Sequence, residues 1–447
     1  MIHRIPILLI TAAISAPPCL GGPPDHNWHQ WRGPEANGVS RTANPPVLWS
    51  ETKNVRWKTA IDGKGTSTPI VWDHQVFLLT TIETNEKDTS IPDPEDQPKT
   101  NFFDIKRPNI KHAFVVLCLD RQTGQEIWRQ TATIKIPHEG AHHDNDFASA
   151  SPTTDGTHLY CWFGSAGLYC FDLDGNRIWQ RDLGEVRVGS SLGEGASPVL
   201  HDGRLVIIRD HAGASSIEVI DATSGQTLWK QPRDEGNAWS TPIVIRHSGK
   251  SQIITAASNA IRSYDLESGE IIWQCTGLTG NVIPSPVVCE DSVICMSGYQ
   301  VYAAIALPLS ATGDLSTVDH AIWSRHRGTP YIPSPLLYDD LLLFNQGNQS
   351  IVTGLNPTTG DISFGPDRLG QLSNIYSSPV GAASRIYVTD RGGTTLVMQK
   401  SPSHEVLAIN KLDDRFDASP AVVGTQLFLR GARNLYCLED ETGHPTK

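Results

Sequence analysis

Residues 197–230 read SPVLHDGRLVIIRDHAGASSIEVIDATSGQTLWK. Ser197-Pro198 leads into a short apolar segment, Val199 to His201, and Asp202-Gly203 is a hairpin signal. Arg204 to Arg209 is rich in β-branched and aliphatic residues, and Ser216 to Asp221 reads as a third strand. Thr223-Ser224-Gly225 marks a second turn, after which Gln226 to Lys230 forms a fourth strand centred on Trp229. Four short strands with turns between them, in about 44 residues, match one blade of a β-propeller.

The unit recurs. Ser-Pro or Thr-Pro pairs stand at Pro69, Pro152, Pro198, Pro242, Pro286, Pro335, Pro379 and Pro420, at spacings of 83, 46, 44, 44, 49, 44 and 41 residues. Thr329-Pro330 and Ser401-Pro402 fall out of register, so the period and not the dipeptide is diagnostic. Proline suits the head of a first strand, where it removes a donor only as pairing begins. A turn signature repeats with it: Asp120-x-x-Thr123-Gly124-x-x-x-Trp128, Asp221-x-x-Ser224-Gly225-x-x-x-Trp229 and Asp265-x-x-Ser268-Gly269-x-x-x-Trp273. Asp172-x-x-Gly175-x-x-x-Trp179 is a shortened copy and Asn356-x-x-Thr359-Gly360-x-x-x-Phe364 a weaker one. The aspartate can bond the turn backbone, and the tryptophan is expected to fill the gap between neighbouring outer strands.

The last copy, Glu439-x-x-Thr442-Gly443, has no tryptophan after it, while Val55-Arg56-Trp57-Lys58 is a fourth strand with no blade before it. Joining the two predicts an all-β fold: an eight-bladed β-propeller of four-stranded antiparallel blades, closed by the N-terminal strand, with Trp57 beside Leu435 to Leu438. The ring spans residues 53–447, residues 21–52 form an extension anchored on it by Trp28, Trp31 and Trp49, and a polar loop is inserted at 83–112 in the first blade. That loop holds Asp93-Pro94-Glu95-Asp96-Gln97-Pro98 and reads as a solvated excursion, or as a lid or partner-binding loop.

The chain has 447 residues, of which 19% are charged, and a net charge of −12, which argues against nucleic acid as a partner. Nothing after residue 20 is apolar enough to span a bilayer. His3 and Arg4 precede the uncharged, mostly apolar run Ile5 to Ala16, a signal-peptide pattern within residues 1–20. The protein is therefore expected in the periplasm or outside the cell, as a monomer; Pro18 makes Cys19 a poor lipidation site. Cys118, Cys170 and Cys437 occupy one place in three blades and read as buried apolar residues, whereas Cys161 with Cys170, or Cys289 with Cys295, could bridge neighbouring strands.

His138-Glu139-Gly140-Ala141-His142 has the zinc-protease spacing H-E-x-x-H, but Pro137 and Gly140 deny it the helix that chemistry needs. The wider cluster His138, His142, His143 and Asp144 is a candidate metal site at one mouth of the central channel. Other loops entering first strands bring Glu194, Asn237, Trp239, Asn281, Tyr331, Asn374, Tyr376 and Asp417 toward that mouth. Aromatic rings mixed with amides and carboxylates suit a small polar ligand or a peptide segment.

The Ser-Pro starts and Asp-x-x-Thr-Gly-x-x-x-Trp copies resemble the pyrroloquinoline-quinone-type (PQQ) propeller repeat of quinoprotein alcohol dehydrogenases and of the outer-membrane assembly propeller lipoprotein, over residues 55–447. Trp31-Arg32-Gly33-Pro34, Asn37-Gly38-Val39-Ser40, Phe163-Gly164-Ser165-x-Gly167-Leu168 and Asp172-x-Asp174-Gly175 look like a group of exported bacterial propellers abundant in planctomycetes. Quinoprotein dehydrogenases carry an adjacent Cys-Cys pair over the cofactor; this chain has none, and the resemblance places no calcium ligand or catalytic aspartate on it. The expectation is a non-catalytic envelope propeller that binds an envelope protein or small polar ligand, with no cofactor assigned. The alternative is a quinoprotein-type oxidoreductase using PQQ or a divalent metal, and mouth aromatics such as Trp239, Tyr331 and Tyr376 also suit carbohydrate.

Overall fold

The structure, a computed structural model, describes residues 26–316, 320–401 and 405–441. The leader read at 1–20, Cys19 and the turn residues Thr442 and Gly443 lie outside these. The described chain folds into eight antiparallel sheets of four strands, two of them with one added parallel strand. Numbered by their first strands, the blades begin at Ile70–Trp72, Thr153–Thr154, Val199–His201, Ile243–His247, Val287–Cys289, Leu336–Tyr338, Val380–Ala382 and Ala421–Val423. Each of the eight repeat prolines stands directly before one of these strands. No described helix is long and apolar enough to cross a membrane.

Ring closure follows the expected seam. Val55–Ala60 pairs antiparallel with Asn434–Leu438, with Trp57 opposite Cys437. The core lies between blades, where each sheet is apolar on both faces; Leu427, Phe428, Leu435 and Tyr436 of blade 8 are fully buried.

The serines of the Ser-Pro pairs link the blades. Ser151 Oγ accepts from Thr68 N, Ser197 Oγ from Ser151 N, and Thr241 Oγ1 from Ser197 N, at 2.9–3.0 Å. After one interruption the chain of bonds resumes: Ser334 Oγ accepts from Ser285 N, Ser378 Oγ from Ser334 N, and Ser419 Oγ from Ser378 N. Each bond joins one blade to the next at the channel wall, which explains why a hydroxyl residue precedes the proline.

The outer turns make a second set of links. Asp221 Oδ1 accepts from Ser224 N and Ser224 Oγ, and Gly225 takes φ 71°. The Trp179 ring of the preceding blade lies on that glycine, so close that a Cβ there would stand 2.8 Å from it, and Trp179 Nε1 donates to Ala222 O. Trp128 seats likewise on Gly175, Trp229 on Gly269 and Trp323 on Gly360. At the seam, Trp57 seats on Gly124 and donates to Arg121 O. The junction from blade 4 to blade 5 departs from this pattern. Trp273 is fully buried, yet its Nε1 has no partner among the described residues. Blade 5 lacks the turn signature there, and Gly313–Asp314 instead adds a parallel strand beside Trp273 and Gln274.

Residues 27–54 cross the ring on the face opposite the mouth. Trp28 pairs with Val71, Thr154 N donates to His29 O, and Val39–Ser40 pairs parallel with Gly381–Ala382. Trp28 and Trp49 are buried anchors, whereas Trp31 is only half-buried and reaches the channel.

Two expectations need correction. The insertion of blade 1 is shorter than 83–112, because the ladder continues through Glu83 opposite His112 to Lys87 opposite Ile110, leaving 88–109 outside it. That loop is tied internally by Gln97 to Pro92 O and Arg107 O, and to blade 2's entry loop by Arg107 Nε and Pro137 O. The suggested cysteine bridges do not form; all seven cysteines among the described residues are free and buried. Cys161 faces the core shared with blade 1 while Cys170 faces that shared with blade 3, because a one-residue offset turns a side chain to the other face of a sheet. Cys289 and Cys295 are divided between two cores in the same way.

Candidate functional site

In an antiparallel blade the loops between second and third strands lie on the same face as the connections between blades. Both kinds of loop surround the central channel, which is a cavity of about 420 Å³. Of the residues expected there, Trp239, Asn281, Tyr331, Tyr376 and Asp417 line it, with His142 and Asp144 from the loop entering blade 2. Three others are displaced. Asn237 turns aside to accept from Gly189 N at 3.0 Å, and Asn374 is an exposed residue whose O accepts from Arg391 N. Glu194 belongs to a neighbouring cavity of about 240 Å³ between blades, with His138 and Glu139.

The loop 136–146 is not helical, so the H-E-x-x-H spacing does not bring His138 and His142 together. His138 Nε2 lies 2.8 Å from Val186 O, whereas His142, His143 and Asp144 place one ligand atom each within 4.8 Å of one another. Asp144, however, is already engaged. Its Oδ1 accepts from Arg391 at 2.5 Å and from Arg415 at 3.0 Å, and its Oδ2 accepts from the Tyr376 hydroxyl at 3.0 Å. Both arginines also hold Asp417, at 2.6 and 2.8 Å, and the Arg391 guanidinium lies 3.8 Å from the Tyr376 ring centre. A divalent ion at Asp144 would meet two guanidinium charges, so these residues fit a metal poorly. Burial lowers the His142 pKa, an effect reinforced by His143. Burial raises the Asp417 carboxyl despite Arg391, and pushes Tyr331 and Tyr376 up to about 12.

The sequence reading missed several wall residues. Tyr299, its ring tilted by 36° and 5.1 Å from that of Tyr331, comes from the loop between the second and third strands of blade 5, and Arg391, which holds the lining residues Asp144 and Asp417, from the equivalent loop of blade 7. Phe103 comes from the long insertion of blade 1 and meets His142 edge-on at 5.2 Å. Phe102 beside it is 81% exposed. Strand alternation was the available signal, since it sends these loops to the mouth. At the bottom, Trp31 Nε1 donates to Ser285 Oγ at 3.0 Å, where the belt of serine bonds is interrupted. Above Trp31 the channel widens into a cup that opens at the mouth.

The glutamates of the neighbouring cavity are also perturbed. Burial pushes Glu194 up to about 7, although its carboxylate accepts from Ser165 N at 3.1 Å, and burial likewise raises Glu139.

No curated protein sequence matches the chain. Among solved structures, the quinohemoprotein alcohol dehydrogenase of Comamonas testosteroni shares the fold at TM-score 0.63 and 10% identity, covering 94% of this chain and 82% of its own. A europium-containing methanol dehydrogenase follows at TM-score 0.62 and 8% identity, over 92% of this chain and 90% of its own. BamB of Moraxella catarrhalis aligns at TM-score 0.52 and 14% identity, over 83% of this chain and 100% of its own. The family described as outer membrane protein assembly factor BamB matches residues 112–365 and 213–446, and the chain belongs to that family of PQQ-type propellers.

Proposed function

We propose that this protein is an exported, non-catalytic propeller of the cell envelope that binds a protein segment or small polar ligand at the channel mouth, as a monomer. The observation that carries this reading is the cup itself. Its walls are Trp239, Tyr299, Tyr331 and Tyr376, and its carboxylates Asp144 and Asp417 are neutralised by Arg391 and Arg415. Such a surface favours holding a ligand over polarising one. Exposed Phe102 at the rim extends the apolar contact beyond the cup. The test is site-specific photo-crosslinking in intact cells, with the crosslinker at Phe102 and, as control, at Asp202 on the opposite face. An adduct confined to Phe102 is expected; equal labelling at both positions overturns the reading.

A second reading is a quinone- or metal-dependent oxidoreductase, whose ion would have to sit at His142, His143 and Asp144 against the charges of Arg391 and Arg415. The quinone and calcium would then change the absorbance of the purified protein and support dye reduction with an alcohol or sugar. Metal analysis of the same preparation, before and after His142→Ala with Asp144→Ala, decides whether that cluster holds an ion.

A further inference from the structure

The floor of the cup differs from its mouth in charge and in hydrogen-bonding character. Ser197, Thr241, Ser334, Ser378 and Ser419 all line it. Each of these oxygens already accepts a backbone N–H from the preceding blade, which leaves its hydroxyl proton free for donation. Five such hydroxyls converge on one cavity, which Trp31 also lines.

Arg32 lies behind this ring of hydroxyls, outside the lining of the cavity. It is 2% exposed and donates to the carbonyls of Asn37, Pro335 and Pro379, the two prolines being those that follow Ser334 and Ser378. None of these partners is an acid, and burial alone lowers the guanidinium to about 9. A buried cation without a carboxylate is costly, and a negative group nearby offsets that cost. At the mouth, by contrast, two arginines and two aspartates cancel. Between floor and mouth the walls are apolar or aromatic: Trp239, Ile283, Tyr299, Tyr331 and Ile332. Trp31 stands at the bottom of the cup, bonded to Ser285 Oγ and in the path of an occupant entering from the mouth.

We propose that the cup receives the C-terminal end of a polypeptide, with the terminal carboxylate on the serine floor and an aromatic or branched apolar side chain between Trp239 and the Tyr299–Tyr331 pair. This rests on the mouth-binding reading above and names its ligand class. The carboxylate collects charge-assisted hydrogen bonds from the hydroxyls and faces the Arg32 side of the ring. The apolar side chain supplies burial against the walls.

The test is calorimetric titration of the intact protein with N-acetyl-phenylalanine, its amide, and the hexapeptide Gly-Ser-Gly-Ser-Gly-Phe with a free or an amidated end. Binding of the free acids at least about tenfold tighter than the amides is expected, together with a change in tryptophan emission from Trp31 and Trp239. Arg32→Gln should bring that ratio toward one; if this variant does not fold, the wild-type ratio alone decides. Equal affinity of acids and amides, or binding of none of the four probes, overturns the proposal. So does binding of N-acetyl-phenylalanine with exclusion of the free-end hexapeptide, which would assign the cup to a small free acid. A Phe102 crosslink that persists while the titrations fail would sink this ligand assignment and leave the mouth-binding reading standing.

Discussion

The junction between blades 3 and 4 and the junction between blades 4 and 5 solve one packing problem in two ways. At the first, Trp229 lies on Gly269 and donates to Leu266 O at 2.9 Å. At the second, Trp273 is more deeply buried but leaves its Nε1 without an acceptor among the described residues, and the chain brings in Gly313–Asp314 and Trp31. The two parts of the repeat contact, apolar burial of the ring and capture of the turn carbonyl, are therefore separable. Where a turn signature lapses, segments from outside the repeat fill in.

The seam tests whether a junction made by a distant strand behaves like an ordinary one. Trp57→Ala should cost about 3–5 kcal/mol, as for other buried tryptophans, read as a fall in the urea midpoint. A loss below about 1 kcal/mol would mean that the closing strand contributes little. A pH effect comes next, at the junction of blades 2 and 3. Glu194 rises from 4.5 to about 7 on folding. The native state thus binds the extra proton, so this contribution is fully present below pH 4.5 and is lost as pH rises through 7, by about 3 kcal/mol. Melting of the wild type should fall from pH 5 to pH 8 relative to Glu194→Gln; parallel profiles would remove Glu194 from the account.

Smaller effects separate backbone strain from ring contact. Gly225 and Gly313 take φ 71° and 78°, but only Gly225 faces a tryptophan; a Cβ on Gly313 has nothing within 4 Å. Gly313→Ala should cost about 1 kcal/mol from backbone strain alone, and Gly225→Ala clearly more. Equal losses would show that the tryptophan yields freely. The smallest contrast concerns the captured carbonyl. Trp229→Phe leaves Leu266 O without its donor and should cost about 1 kcal/mol beyond the lost ring area, whereas Trp273→Phe removes no hydrogen bond among the described residues. The difference between the two variants, not either value alone, isolates that bond.

Much of this was legible beforehand. The Pro spacing marked the head of every blade, and the isolated Val55-Arg56-Trp57-Lys58 identified the closing strand, because both are local patterns copied in register. Five of the eight mouth residues were reached by the same logic. Asn237, Asn374 and Glu194 were not, since the direction of a loop side chain depends on its partners: Gly189 N captures Asn237 and Ser165 N captures Glu194. The cysteine pairs failed for a related reason, as proximity in neighbouring strands does not say which face each thiol occupies.

Sequence alone determined the number of blades, their order and the way the ring closes, because strand, turn and tryptophan recur at a period that only one architecture accommodates. Tertiary structure alone decided what the channel is. Its aromatic walls, its neutralised mouth and its hydroxyl floor beside an uncompensated Arg32 come from residues far apart in the chain, which meet only because eight unlike loops and one N-terminal segment converge on a common axis.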